Sequence, residues 1–426
     1  MNFKTLVIAG LGSIGGSMFA VGKEYLPWFA KVVAVDRETK SPLLHDEAAV
    51  EVLVGDVTDT SFLERLVRGV PEPVLLLNLC AGTDHVRLRK MIEKLPVAYL
   101  DSGCCTPEGT DEHRFSRMMP YTLTPVESGY PHWLCWGINP GVVELVTRML
   151  LRRMGHPASE AEVTIFEHDS LQTANPDHGI AVGWCPAFLV EEMLISPSLV
   201  VEEGVLREGL AAGGQPVLVC WGNEKVPCRL VGHEDIWNLG QLHGVCSARF
   251  AYGLTPRVMA VLEGGDAPAA AAELKVVSPA TPVLGIERIA VQVRSSSSGE
   301  TRTLLWETNH ERVWKRLGVN GVQFQTGVSL WFALHMLQNT RLRNASGHLV
   351  RVESPAFRGG LEGSGIRHER PGHGLGRGGS LVHSSPPDAL PWWARILKPL
   401  SGACCFPPSG EGRIPRRFQV LTDAYV

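Results

Sequence analysis

A strand that runs into a glycine turn, a repeated alternation of apolar strands with helical segments, and a change of texture after Gly155 predict an α/β chain. The expected architecture is a doubly wound parallel sheet with an inserted α+β substrate domain. The first strand and turn, Lys4 to Gly16, read KTLVIAGLGSIGG. The apolar run Leu6 to Ala9 enters Gly10-Leu11-Gly12-Ser13-Ile14-Gly15, and the small apolar segment Ser17 to Val21 follows as a helix. Gly10 allows the tight turn, Gly12 lets the backbone approach a pyrophosphate, and Gly15 lets the helix pack on the strand. Amides at the helix start, at Ser13 and Ile14, then face the phosphates. The pattern is Rossmann-like.

The next strand, Lys31 to Val35, ends in Asp36, about 20 residues past the last glycine, where an acid accepts both ribose hydroxyls of an adenosine. Such an acid repels a 2′-phosphate, so NAD is the expected cofactor; Arg37 keeps NADP as an alternative. A third strand, Val50 to Val54, closes on Asp56, which either contacts the adenine end or caps the helix starting near Thr60. That helix runs through Glu64 to Val70 and is broken by Pro71-Glu72-Pro73. Val74 to Leu79 is an uninterrupted apolar run, as in a strand buried on both faces. Helix Val86 to Leu95, strand Val97 to Leu100 with Asp101 at its tip, strand Trp133 to Trp136, the turn Gly137-Ile138-Asn139-Pro140-Gly141 and an amphipathic helix Val142 to Met154 continue the alternation. Asn139 suits the turn on backbone grounds and equally suits a contact near the nicotinamide.

Beyond Gly155, Val163 to Phe166 alternates with charge, and short β-like runs follow at Val217 to Trp221, Cys228 to Val231 and Ile286 to Arg294. Ala267 to Ala272 reads as a helix or linker, Ser295 to Gly299 as a turn, and Leu317 to Gln338 as a helix with one buried face. The expected organisation is a dinucleotide-binding domain over residues 1–141, a substrate domain over 142–310 and a helix packing back on the nucleotide domain within 311–340. Residues 341–426 read as a low-complexity tail, disordered or translated in a shifted frame.

The chain has 426 residues and a formal net charge of -4, without the basic excess of a nucleic-acid binder. It has no apolar run long enough to span a membrane, and Met1 to Lys4 leads directly into the first strand, so a cytoplasmic protein without a signal peptide is expected. Ten cysteines fall at irregular spacings without a CxxC pair, so reduced thiols and no structural metal are expected.

The GLGSIG turn, the GINPG turn and the late Thr326-Gly327-Val328 helix resemble the saccharopine dehydrogenase superfamily, and within it bacterial homospermidine synthase, over residues 4–339. Phe166-Glu167-His168-Asp169 is similar to the family segment with a substrate-binding glutamate, which maps to Glu167. The stretch Trp184 to Glu192 resembles one in which an active-site tryptophan precedes a glutamate by eight residues, which map to Trp184 and Glu192; Gly232-His233-Glu234-Asp235 resembles its histidine segment. Two family carboxylates are missing: Gly82 stands in place of an aspartate, with Asp84 two residues on, and Cys105 in place of a glutamate, with Glu108 nearby.

The resemblance implies that bound NAD takes a hydride from the carbon bearing a primary amine, that a second amine displaces ammonia from the imine, and that the same hydride is returned. Putrescine or a similar diamine would be the substrate and a homodimer the assembly. Glu167, Glu192 and Glu191 would supply negative charge, Trp184 a π face for an ammonium, and Glu192 or His233 the general base. The residues also admit plainer roles: Trp184 in core packing, Glu191 and Glu192 on a solvated helix face, His233 in a surface turn, and His243 and His310 as structural. Alternative functions are a saccharopine or carboxyspermidine dehydrogenase-like oxidoreductase, recognised by arginines for a substrate carboxylate, and an NAD-binding protein without catalysis.

Overall fold

The computed structural model describes residues 2–38, 49–103, 115, 128–175, 179–209, 217–221, 224–241, 244–277, 279 and 281–339. Cys105, Glu108, His243 and the tail beyond residue 340 lie outside the described residues.

Six parallel strands form the first sheet: β1 (Thr5–Ala9), β2 (Lys31–Asp36), β3 (Val50–Val54), β4 (Val74–Asn78), β5 (Val97–Asp101) and β6 (His132–Trp133), in the order β3-β2-β1-β4-β5-β6. Every residue of β1, β4 and β5 is buried, which explains their unbroken apolar runs. The order reverses between β1 and β4. A crevice opens there at the carboxyl ends of the strands, the place where open α/β sheets hold ligands.

The helix Thr60–Arg68 is capped by Asp59, whose carboxylate accepts from the amides of Ser61 and Phe62. Asp56 instead accepts from the amide and hydroxyl of Thr58 and folds its own turn. The strand expected at Trp133 to Trp136 stops at Trp133, because Asp101 takes the next donors: its carboxylate accepts from the amide of Cys135 and its carbonyl from the amide of Trp136.

After the helix Val142–Met154 comes a mixed sheet. Its central strand β7 (Ala161–Asp169) is followed by the short strands β8 (Gln172–Thr173) and β9 (Ile180–Val182), which belong to small ribbons elsewhere. The sheet continues with β10 (Leu199–Glu202), β11 (Val205–Glu208), β12 (Val217–Trp221), β13 (Glu224–Leu230) and β14 (Ser247–Leu254), then, after β15 (Leu274–Val276) and β16 (Val283–Leu284), with β17 (Ile286–Ser295) and β18 (Thr301–Asn309). The main path is β11-β10-β14-β7-β17-β18, with the β12–β13 hairpin attached to β14. Strand β7 runs parallel to β14 and antiparallel to β17. One apolar core extends from Val7 and Val35 in the first sheet, through Val143 and Leu150, to Ile165 and Val291 in the second.

The late helical pattern divides in two. Helix His310–Leu317 ends at Gly318 in the left-handed conformation, and helix Gly321–Asn339 begins after a short turn. The second helix lies along the first helix of the chain, Ser13–Gly22: Trp331 Nε1 donates to the carbonyl of Met18 (2.9 Å), and its ring occupies the space a Cβ on Gly22 would need. Gln338 closes the far end against Phe3 and Trp28. Among the described residues no helix is long and apolar enough to cross a membrane. Trp331→Ala should cost about 3–5 kcal/mol of stability by opening a cavity and removing the indole's bond to the Met18 carbonyl; equilibrium urea unfolding checks this, and a midpoint unchanged from wild type would contradict the packing role.

Candidate active site

A single cavity of about 620 Å³ runs from the glycine turn to the second sheet. At its outer end Gly10 has a φ of +90°, which an L side chain resists. A Cβ on Gly15 would fall 1.8 Å from the carbonyl oxygen of Gly10, so strand and helix could not approach as they do; a Cβ on Gly12 would meet nothing within 4 Å. The middle glycine therefore faces open space, the shape a pyrophosphate requires. Ser13 and Ile14 border that space, and Asp36 stands at its rim. The Asp36 carboxylate is held in place by the amides of Leu11 (2.6 Å) and Glu38 (3.2 Å). Arg37 and Arg87 are close enough to act on the charge of exposed Asp56 and belong to this outer end. Burial, reinforced by the Asp36 charge, pushes the Cys80 thiol up to about 12, so it stays protonated. Asp84 caps the helix His85–Ile92.

The inner end is built by strand register. Side chains of a strand alternate between faces, so Glu167 and Asp169 of β7 share one face while His168 takes the other. Tyr252 pairs with Glu167 from β14, and Glu287 stands opposite Asp169 on β17. Glu287 lies in phase with Ile289, Val291 and Val293, all buried. Two acids thus face each other across an antiparallel pair in the interior, and burial together with the Asp169 and Glu167 charges holds Glu287 protonated. Burial also lifts Glu167 to about 7, opposed by the His233 charge and by the hydrogen bond from Asn139. Burial and the surrounding carboxylates keep the Tyr252 phenol un-ionised.

The GINPG turn supplies the polar partner. Gly141 sits at a φ of +116°, and Asn139, across a cis bond from Pro140, donates from Nδ2 to Glu167 Oε2. Trp184 lines the cavity with its ring 6.4 Å from that of Phe188. The short helix Pro186–Val190 then widens into a π turn, Glu191–Ile195, closed by the amide of Ser196 on the carbonyl of Glu191. The wider turn brings both Glu191 and Glu192 to the cavity, buried to 7% and 3% exposure, so neither lies on a solvated face. His233 is buried too rather than in a surface turn; it stacks on Phe250 with ring centroids 4.4 Å apart, its Nε2 3.9 Å from Glu192.

Glu287, Tyr252 and Gln325 line the cavity, with Asp169 opposite Glu287 on the neighbouring strand, and sequence reasoning missed them or assigned them no role. The one legible signal was an acid at position 287 in phase with an apolar strand face. Asp169, Glu287 and His310 bring donor atoms within 4.8 Å of one another, a spacing a metal ion could use. The imidazole opposes that use: its Nδ1 accepts from the amide of Gly321 (2.8 Å), leaving the proton on Nε2, which faces Asp169 (3.0 Å). His310 thereby ties the start of the last helix to the acid cluster.

No protein-family model matches the chain, and no curated protein matches it in sequence. Among solved structures it resembles the homospermidine synthase of Legionella pneumophila in complex with NAD, at a TM-score of 0.62 and 13% identity over 79% of this chain and 84% of that one. It also resembles apo saccharopine dehydrogenase (L-Glu forming) of Saccharomyces cerevisiae, at a TM-score of 0.56 and 11% identity over 84% and 96%. The chain shares their fold. At these identities the likeness is one of architecture, and the chemistry rests on the residues above.

The raised pKa of Glu167 sets a pH dependence. A carboxyl that holds its proton more tightly when folded contributes stability that is full below its unfolded value of about 4.5 and is lost as pH rises through about 7. Melting of the free protein should therefore fall to lower temperature between about pH 5 and pH 8, and Glu167→Gln should flatten that decline; parallel curves for the two proteins would remove the assignment.

Proposed function

We propose that the protein is a homospermidine synthase-like enzyme that oxidises a primary amine to an imine with bound NAD, exchanges the amine and re-reduces the product. The observation that carries this reading is the charge at the inner end of the cavity. Glu167, Glu191, Glu192, Glu234 and Glu287 line it, and no lysine or arginine does so among the described lining residues apart from Arg37 and Arg87 at the outer end. Gathering several buried carboxylates in one cavity is costly, and a polycationic ligand relieves that cost.

NAD rather than NADP fits the outer end, where Gly10, Gly12, Ser13, Ile14 and Gly15 would take the pyrophosphate and Asp36 the ribose. Bound there, the dinucleotide would supply a hydride acceptor and later return the same hydride. Trp184 would hold the ammonium or iminium by cation–π attraction, worth about 2 kcal/mol in a desolvated site. Asn139 and Glu167, already bonded to each other, would orient the amine end nearest the nicotinamide. Glu192, with His233 behind it, would accept the proton that an ammonium must lose before it can react. The homodimer and cytoplasmic location belong to the same reading, by analogy with the resemblance above.

A saccharopine-type dehydrogenase would need cations for its substrate carboxylates, and the inner lining offers none among the described residues. Incubation with putrescine and catalytic NAD tests the choice by mass spectrometry and absorbance. Homospermidine and ammonia without accumulated NADH are expected; NADH formed with an amino-acid conjugate would transfer the assignment to the dehydrogenases. Glu192→Gln should lower turnover about 100-fold or more with NAD still bound, and Asp36→Ala should weaken NAD binding about tenfold. Unchanged turnover in the first variant would point to a binding protein without catalysis.

A further inference from the structure

Strand pairing sets Asp169, Glu287 and Thr308 side by side across β7, β17 and β18, so the three side chains share one face of the sheet. The two outer members of this row have partners. Asp169 Oδ1 accepts from His310 Nε2 (3.0 Å) and from the amide of Leu171 (2.8 Å), and Thr308 Oγ1 accepts from Gln325 Nε2 (2.9 Å). The middle member has none: Glu287 is 1% exposed, and neither of its carboxylate oxygens has a hydrogen-bond partner among the described residues. Gln325, 5% exposed and tied to Thr308 through its amide nitrogen, likewise has a buried carbonyl oxygen, Oε1, without one.

Both side chains line the inner cavity. Gly321 brings them together, because a Cβ there would fall 3.0 Å from the Cβ of Glu287; without one, the last helix starts against β17 and carries Gln325 over the row. The unanswered atoms are all acceptors, two on Glu287 and one on Gln325. Leaving a buried acceptor unpaired is costly, and the group that answers these must bring donors and positive charge. A primary ammonium has three N–H donors and no acceptor. Ile289, one step along the same strand face, and Val322 of the last helix add apolar wall, which suits methylenes.

We propose that Glu287 and Gln325 form a subsite for a protonated primary ammonium, the end of an unbranched diamine that does not react. The proposal rests on the amine-oxidising reading above. A nitrogen that is to become an imine must shed a proton and change its bonding; one held by a buried carboxylate and a carbonyl keeps its charge and serves as the anchor. Burial beside Asp169 and Glu167 pushes the Glu287 carboxyl toward its neutral form, and an ammonium against it supplies the opposite charge that restores the carboxylate, its proton passing to water.

The test is isothermal titration of the NAD-loaded full-length protein with 1,4-diaminobutane and with 4-aminobutan-1-ol, which keeps the length and one ammonium and ends in a hydroxyl. Wild type should bind the diamine at least about tenfold more tightly than the amino alcohol. Glu287→Gln, nearly the same shape, should weaken diamine binding at least about tenfold and leave amino-alcohol and NAD binding within about twofold, so that the preference disappears. Gln325→Met, which removes one acceptor, should narrow the preference in the same direction. No preference in wild type, a preference kept in Glu287→Gln, or an equal loss for both ligands would overturn the subsite. Should Glu287→Gln fail to bind NAD and so reveal a folding defect, Gln325→Met decides, and an unchanged preference there would overturn it. A wild type that shows the preference, lost in Glu287→Gln, yet forms neither NADH nor product from the diamine keeps the subsite and overturns the amine-oxidising reading alone.

Discussion

Asp169 and Glu287 stand opposite each other on adjacent antiparallel strands, with Glu167 one step along the same face. Nothing about a sheet favours that arrangement. Like charges directly across a strand pair repel, and desolvation raises the cost of each. The structure meets the cost by raising the carboxyl of Glu287 toward its neutral form and answering the remaining charge with Asn139 and with His310. What a fold retains against its own stability is the natural place to look for function. A cation entering this cluster would find its counter-charges already assembled and already desolvated, so little reorganisation would remain for the reaction itself.

The cluster also explains the company it keeps. The π turn is a poor local structure, yet it is what brings two consecutive glutamates into one cavity. Gly141 occupies a backbone region that other residues resist, and through it the turn places Asn139 on Glu167 and an amide on Asp235. Local irregularities at these two places serve the same small volume. The regular elements around them, β7, β14 and β17, hold that volume rigid.

Much of the fold was legible because its signals are local. The glycine turn, Asp36 and the buried apolar runs of β4 and β5 each announce themselves within a few residues, and the structure places them at one crevice. Trp184, Glu192, Glu167 and His233, mapped through resemblance, and Asn139, read from its turn, all line the far end of it. What escaped was non-local. Glu287 acquires meaning only when β17 pairs with β7, so its partner is invisible along the chain. The burial of Glu191 and Glu192 was hidden for a different reason: a period of 3.6 residues puts one of them outward, and the π turn breaks that period. The early end of β6 likewise depends on Asp101 reaching for Cys135 across the sheet.

One helix joins the two ends of the cavity. At its start Gly321 donates to His310 and so to the acid cluster; two residues on, Gln323 donates to the Ser13 hydroxyl beside the glycine turn. Val322, Gln325 and Thr326 between and after them form part of the cavity wall, and Trp331 then locks the helix along the Ser13–Gly22 helix. The distance from the pyrophosphate end to the carboxylates is thus set within a single rigid element rather than by a hinge. For the proposed reaction, which would remove a hydride and later give it back to a different bond, that constraint matters: cofactor and amine would have to keep one geometry through both transfers, and a helix bonded at both sites would impose it.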